Sequence, residues 1–146
     1  MSRPFCMAFL AVVFLWVSGA VAATEVAMVV ATQRTAPAHL VRVALGRPNL
    51  LTTQLKNGSD NRIVSYRIGC ASVRPNGIEL HKGDLISVRG AIKPGDIHDV
   101  AGQAFSFDES AQSLIYFVAE LTFADGSVWN VDIEDIAHEA GLKFSR

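Results

Sequence analysis

The stretch from Leu114 to Val131, LIYFVAELTFADGSVWNV, decides the fold. Its apolar side chains recur at every second position, and that period belongs to a strand, whereas an amphipathic helix repeats every 3.6 residues. Ile115, Phe117, Ala119, Leu121 and Phe123 are expected on one face, with Tyr116, Glu120 and Thr122 on the other. Asp125-Gly126 then supplies turn chemistry before a second strand, Ser127 to Val131. A two-residue loop pairs Phe123 with Val128 and turns Trp129 and Val131 away from the apolar face. A three-residue loop over Ala124, Asp125 and Gly126, with Gly126 in the left-handed conformation of a bulge, pairs Phe123 with Ser127 instead. Leu121, Phe123, Trp129 and Val131 then share one side. A slip of one residue exposes that whole set, so the alternation predicts the three-residue form.

The same period extends outward along the chain. Between Ile63 and Val73, the residues Val64, Tyr66, Ile68 and Cys70 alternate with Ser65, Arg67 and Gly69, which places Cys70 on an inward face. Further β-rich stretches are Val26 to Thr32, Leu40 to Leu45, Leu50 to Lys56, Ile78 to Leu80, Leu85 to Arg89 and Gln103 to Phe107. Asn57-Gly58 and Asn76-Gly77 read as tight hairpin turns and Pro94-Gly95-Asp96 as a loop. After Val131 the spacing changes. Ile133, Ile136, Ala137 and Ala140 approach a helical repeat, with Asp132, Glu134 and Asp135 at its N-terminal end and Gly141 suited to its C-terminal cap. The expectation is an all-β chain, an antiparallel β-sandwich of about seven to nine strands closed by a short C-terminal helix.

Two stretches resemble a known type. Gln54-Leu55-Lys56-Asn57-Gly58-Ser59-Asp60-Asn61-Arg62-Ile63, continuing into Val64-Ser65-Tyr66-Arg67-Ile68, resembles the strand, polar turn and strand of small exported immunoglobulin-like sandwich domains. The segment from Phe117 to Trp129 is similar to a hairpin of bacterial exported proteins of this kind. The resemblance implies an immunoglobulin-like sandwich and brings no catalytic motif with it. The Cys, Trp, Cys pattern of antibody domains is absent.

Length and charge bound the function. The chain has 146 residues, 13 basic and 14 acidic side chains, a formal net charge of -1 and a pI near 6.4. That is material for about one domain, and it lacks the positive field that phosphate backbones or anionic lipids require. A nucleic-acid role is disfavoured. Met1 to Arg3 form a short charged start, Phe5 to Val17 an unbroken apolar run of 13 residues, and Ala20-Val21-Ala22 a small-residue cleavage pattern. The reading is a secretory signal peptide over residues 1–22, cut at Ala22/Ala23, followed by a single β-sandwich domain over 23–146. The run is short of the roughly 18 to 20 apolar residues that span a bilayer, and no membrane span is expected in the mature chain. The expected location is therefore periplasmic or extracellular. Cys6 leaves with the signal, and Cys70 alone forms no intrachain disulfide.

Candidate chemistry is sparse. His81, Asp84, Asp96, His98 and Asp99 form the densest set of metal-ligand types, but their spacing matches no zinc signature, and solvated loop polarity is the favoured reading. Asp96, Asp99, Asp108 and Glu109 lack the alternating oxygen ligands of a dedicated calcium loop. Cys70 on an apolar strand face reads as a buried thiol with a raised pKa rather than a nucleophile. Tyr116 is the one candidate for an exposed aromatic platform, with Trp129 assigned to the core. Asn57-Gly58-Ser59 matches a glycosylation acceptor but is favoured simply as a turn. The sequence thus assigns no catalytic, cofactor-binding or metal residue and implies no cofactor. The leading expectation is a non-catalytic module for binding, assembly or an accessory role, with a protein or glycan as partner. The alternatives are a small metal-dependent hydrolase using the 81–99 loops or a carbohydrate-binding module.

Overall fold

Strand pairing sorts the described residues into two facing sheets and one helix. The computed structural model describes residues 26–46, 50–103, 105 and 110–139. The strands are β1 (Ala27–Val30), β2 (Ala38–Gly46), β3 (Leu50–Asn57), β4 (Ile63–Arg74), β5 (Gly77–Ile92), β6 (Ile97–Gln103), β7 (Ser113–Phe123) and β8 (Val128–Asn130), followed by the helix α1 (Ile133–Glu139). The larger sheet has the order β1-β7-β4-β5, with β8 also pairing β7, and the smaller sheet is β2-β3-β6. The signal-peptide reading of residues 1–22 lies outside the described residues. So do Gly141, Asp108, Glu109 and most of the stretch expected as a strand over Gln103 to Phe107.

The described residues are all-β with one short helix, as the periodicity predicts, but their layers number three. One apolar cluster fills the space between the sheets, with Tyr66, Ile68, Cys70, Tyr116 and Val118 from the larger sheet meeting Leu40, Leu51 and Leu55 from the smaller. A second cluster joins Ala71, Ile115, Phe117 and Ala119, on the opposite face of the larger sheet, to Ile136 of α1. Asp132 starts that helix: its carboxylate accepts the Glu134 amide at 2.9 Å, satisfying one of the free donors of the first turn. The middle of the central strand β7 is consequently covered on both sides.

This double cover corrects the expected faces of β7. Arg67 pairs with Glu120 and Ile68 with Val118, leaving Ala119 as an extra residue. Such a bulge shifts the alternation by one. Leu114, Tyr116 and Val118 before it, and Leu121 and Phe123 after it, all point between the sheets, while Ile115, Phe117 and Ala119 point at the helix. Tyr116 is fully buried, so it is core rather than an exposed platform.

The last hairpin forms as expected. Phe123 donates to the Ser127 carbonyl at 2.9 Å, Gly126 donates to the Phe123 carbonyl at 3.0 Å, and Gly126 has φ 84°. Leu121 pairs with Trp129, and Trp129 packs beside Leu121 and Phe123. Val131 departs from the expected face. It donates to Ala119 at the bulge and packs on the helix side.

Other corrections follow from pairing. The strands expected at Ile78 to Leu80 and Leu85 to Arg89 are one, β5, because Gly83 and Asp84 bulge opposite Ile68 without ending the ladder. β6 replaces part of what was read as loop, so His98 and Asp99 sit on a strand. The sheet is not wholly antiparallel, since β1 runs parallel to β7. Asn57-Gly58 carries the chain from one sheet to the other, and the β4–β5 hairpin turns on Pro75-Asn76, with Arg74 opposite Gly77.

Gly69 shows how closely the helix side is packed. A Cβ at this position would stand 2.4 Å from the Phe117 ring, which is 1% exposed and has no space to retreat. Gly69→Ala is expected to destabilise the fold by about 1–3 kcal/mol, read as a lower urea midpoint at unchanged slope. A Phe117→Leu partner change should recover part of that loss.

Candidate functional site

The residues named as possible metal ligands are positioned by strands of different sheets. His81 on β5 lies opposite Cys70, with its Nε2 3.9 Å from the Glu79 carboxylate, which also meets Arg74 at 3.1 Å. His98 on β6 points into the space between the sheets, where its Nδ1 meets the Tyr66 hydroxyl at 3.2 Å and the two rings pack edge to face. Asp99 follows on the opposite face of the same strand. Asp84 sits in the β5 bulge, and Asp96 in the β5–β6 loop, where its carbonyl accepts the Asn57 amide at 3.0 Å. Among the described residues no three His, Cys, Asp or Glu side chains come together in a way that could hold a metal ion. The geometry therefore does not assemble the hydrolase site considered from the 81–99 segment.

Asn57 has a role that sequence reading missed. It is fully buried, and its Nδ2 donates to the carbonyls of Asn61 at 2.7 Å and Ile92 at 3.0 Å. Its Oδ1 accepts from the Ser59 amide at 3.0 Å and the Ser59 hydroxyl at 2.7 Å. One carboxamide thus ties the β3–β4 crossover to the end of β5. The Asn57-Gly58-Ser59 turn thus forms as favoured, and the nitrogen a glycan would use is committed inside the fold. The Asx turn was the legible part of this signal, but burial was not.

Cys70 is buried against Tyr116, its partner across β4 and β7. Burial pushes the Cys70 thiol up to about 12, with smaller opposing effects from the Tyr116 hydroxyl and the Ile115 backbone. Burial likewise raises Tyr66 and Tyr116 well above the ordinary phenol range. These groups are held neutral, which suits packing and not nucleophilic attack. The Thr53 hydroxyl, also buried beside Tyr66, lines a cavity of about 150 Å³ between the sheets, with Leu51, Ile68, Ile86, Val100 and Phe105 as apolar walls.

A larger concavity lies on the helix side. α1 has seven residues and so reaches only about 10 Å, and it cannot cover the whole of the eleven-residue β7. Beyond it a groove of about 710 Å³ runs beside β1. Val29, Val73 and Ile115 give it an apolar floor, and Arg34, Asp135 and His138 stand on its walls. Asp135 and His138 are three apart on α1 and so share one side of the helix. Such a surface can hold a ligand with both apolar and polar parts. None of these residues was singled out as a site from sequence, because α1 and the segment after β1 carry no motif and come together only through the sheet.

No family model matches the chain, and no curated protein matches it. Among solved structures it is similar to a hypothetical protein from Peptoclostridium difficile 630, determined at 1.85 Å by X-ray diffraction. The two are 15% identical with a TM-score of 0.43, over 73% of this chain and 90% of that one.

The buried thiol gives a pH prediction. Unfolding exposes Cys70, which then releases its proton near its ordinary value of 9.0, while the folded thiol holds it to about 12. Above pH 9 the unfolded chain binds fewer protons than the folded one, so stability falls as pH rises. Urea midpoints should be flat from pH 7 to 8.5 and decline above 9, and Cys70→Ala should show a shallower decline. An equal alkaline slope in both proteins would refute a neutral buried thiol.

Proposed function

We propose that the chain is an exported, non-catalytic immunoglobulin-like sandwich module that binds a partner protein or glycan in the periplasm or outside the cell. The observation that carries this reading is the contrast between the two kinds of site. Among the described residues, the candidates read from the sequence are committed to packing, as Cys70 and Tyr116 are, or sit on different sheets, as His81 and His98 do. The groove beside β1 instead offers an open surface with an apolar floor and charged walls.

Strand order supports the immunoglobulin-like assignment. Against the ABED and CFG sheets of constant-type domains, β2, β3 and β6 correspond in order to A, B and E and β4, β7 and β8 to C, F and G, while β5 corresponds to the C′ strand found in variable-type domains. The chain departs from that pattern in having no strand in the place of D among the described residues and in adding β1 parallel to β7. Export rests on the apolar run Phe5 to Val17 and the Ala20-Val21-Ala22 pattern that follows it.

The test uses the full chain, expressed in its producing cell. N-terminal sequencing of the exported product should begin at Ala23. Capture from envelope and secreted fractions should then be repeated with Val29→Lys, a half-exposed position on the groove floor whose change should cost the fold under about 0.5 kcal/mol. The expected result is a partner retained by the wild type, recovered chemically unchanged, and lost by roughly tenfold or more from the variant. Retention at equal affinity by both proteins excludes the groove, and turnover of the captured partner excludes a non-catalytic role.

A further inference from the structure

Three dipeptides in this chain set a side-chain carbonyl beside a glycine nitrogen: Asn57-Gly58, Asn76-Gly77 and Asp125-Gly126. Glycine has no Cβ to hinder ring closure onto the preceding side chain, so each is a candidate for succinimide formation. The structure treats the three very differently, and the geometry points to Asn76 as a self-modifying site of the folded protein.

At Asn57 both partners in the reaction are held. The carboxamide makes four hydrogen bonds inside the fold, and the attacking nitrogen, that of Gly58, donates to the Pro37 carbonyl at 2.9 Å. At Asp125 the carboxylate accepts from the Ser127 amide at 2.9 Å and from the Ser127 hydroxyl at 2.6 Å, and the Gly126 nitrogen donates to Phe123 at 3.0 Å. A carboxylate held ionised in this way is a poor acceptor for a nucleophile. Asn76 is exposed at the tip of the β4–β5 hairpin, and no hydrogen bond holds its carboxamide among the described residues. Gly77 has φ 147°, with open space around its α-carbon, and it closes the last pair of the ladder, where local opening is easiest.

The reaction balances with water alone. The Gly77 nitrogen loses its proton and bonds to Cγ of Asn76, the Cγ–Nδ2 bond breaks, and the nitrogen leaves as ammonia. Water then opens the five-membered imide at either carbonyl, giving an aspartyl or an isoaspartyl linkage at position 76. Deprotonation of the attacking nitrogen makes the rate rise with pH. Either product places a new carboxylate at the hairpin tip, close in sequence to the Arg74–Glu79 ion pair. The isoaspartyl form also adds a main-chain atom to a two-residue loop and so disturbs the Arg74–Gly77 and Val73–Ile78 pairs.

The test incubates the full chain, folded and in urea, at pH 7.4 and pH 9, and maps the modified peptides by mass with enzymatic detection of isoaspartate. In the folded protein, position 76 should be converted roughly tenfold or more faster than position 57, which reacts only through opening of the fold. In urea the two should react at similar rates, and Asn76→Gln should abolish the hairpin signal. Equal rates at 57 and 76 in the folded chain would overturn the assignment. So would a folded chain intact at 76 over a period in which the urea sample is converted there.

Discussion

The structure depends on keeping the backbone of one strand hydrogen-bonded where its middle is covered on both faces. Around Phe117 to Ala119, β7 lies between the smaller sheet and α1, and there an unpaired buried N–H or C=O costs about 1–3 kcal/mol. β4 satisfies one edge along nearly its whole length. The other edge is shared. β1 covers Ser113 to Tyr116, Ala31 donates to the Tyr116 carbonyl, Val131 donates to that of Ala119, and β8 covers Glu120 to Thr122. Val118 falls in the gap. The side chain of Gln33 fills it, with Nε2 donating to the Val118 carbonyl at 2.8 Å and Oε1 accepting the Val118 amide at 2.7 Å. One carboxamide thus stands in for a missing strand residue. Gln33 is held at φ 46°, a conformation that costs a non-glycine residue about 1–2 kcal/mol and is offset here by two buried hydrogen bonds.

That constraint also explains where the groove lies. β1 and β8 must both border β7, β1 beside its first half and β8 beside its second, and the chain leaves β8 directly into α1. The short helix is therefore delivered over Phe117 and Ala119, and the end bordered by β1 is left open. Bulges do the remaining steering. The one at Ala119 sends Tyr116 and Leu121 to the same side, and the one at Gly83-Asp84 keeps β5 continuous while Arg67 donates to the Gly83 carbonyl at 2.9 Å.

Legibility in the sequence follows the same physics. The final hairpin was readable because two alternating runs flank a glycine, and only one loop length keeps both runs in register. The faces of β7 were not, because a bulge leaves no mark in a stretch whose two faces are both apolar. β6 was missed for the opposite reason: Ile97-His98-Asp99-Val100 turns a histidine inward onto Tyr66 and an isoleucine outward, against simple polarity. Cys70 was legible as a core thiol from its place in an alternating strand. Gln33 and Asn57 were not legible as buried anchors, since the partners that bury them, Val118 and Ile92, lie 85 and 35 residues away and carry no pattern of their own. The groove shares that limitation, being made of residues that meet only after the sheet forms.

The Gln33 carboxamide completes the open edge of β7, and Gln33→Ala tests that role. Urea denaturation should show a loss of about 2–4 kcal/mol, and hydrogen exchange should show the Val118 amide losing more protection than any other in β7. A loss below about 0.5 kcal/mol with Val118 still protected would contradict the claim that this side chain completes the edge of the central strand.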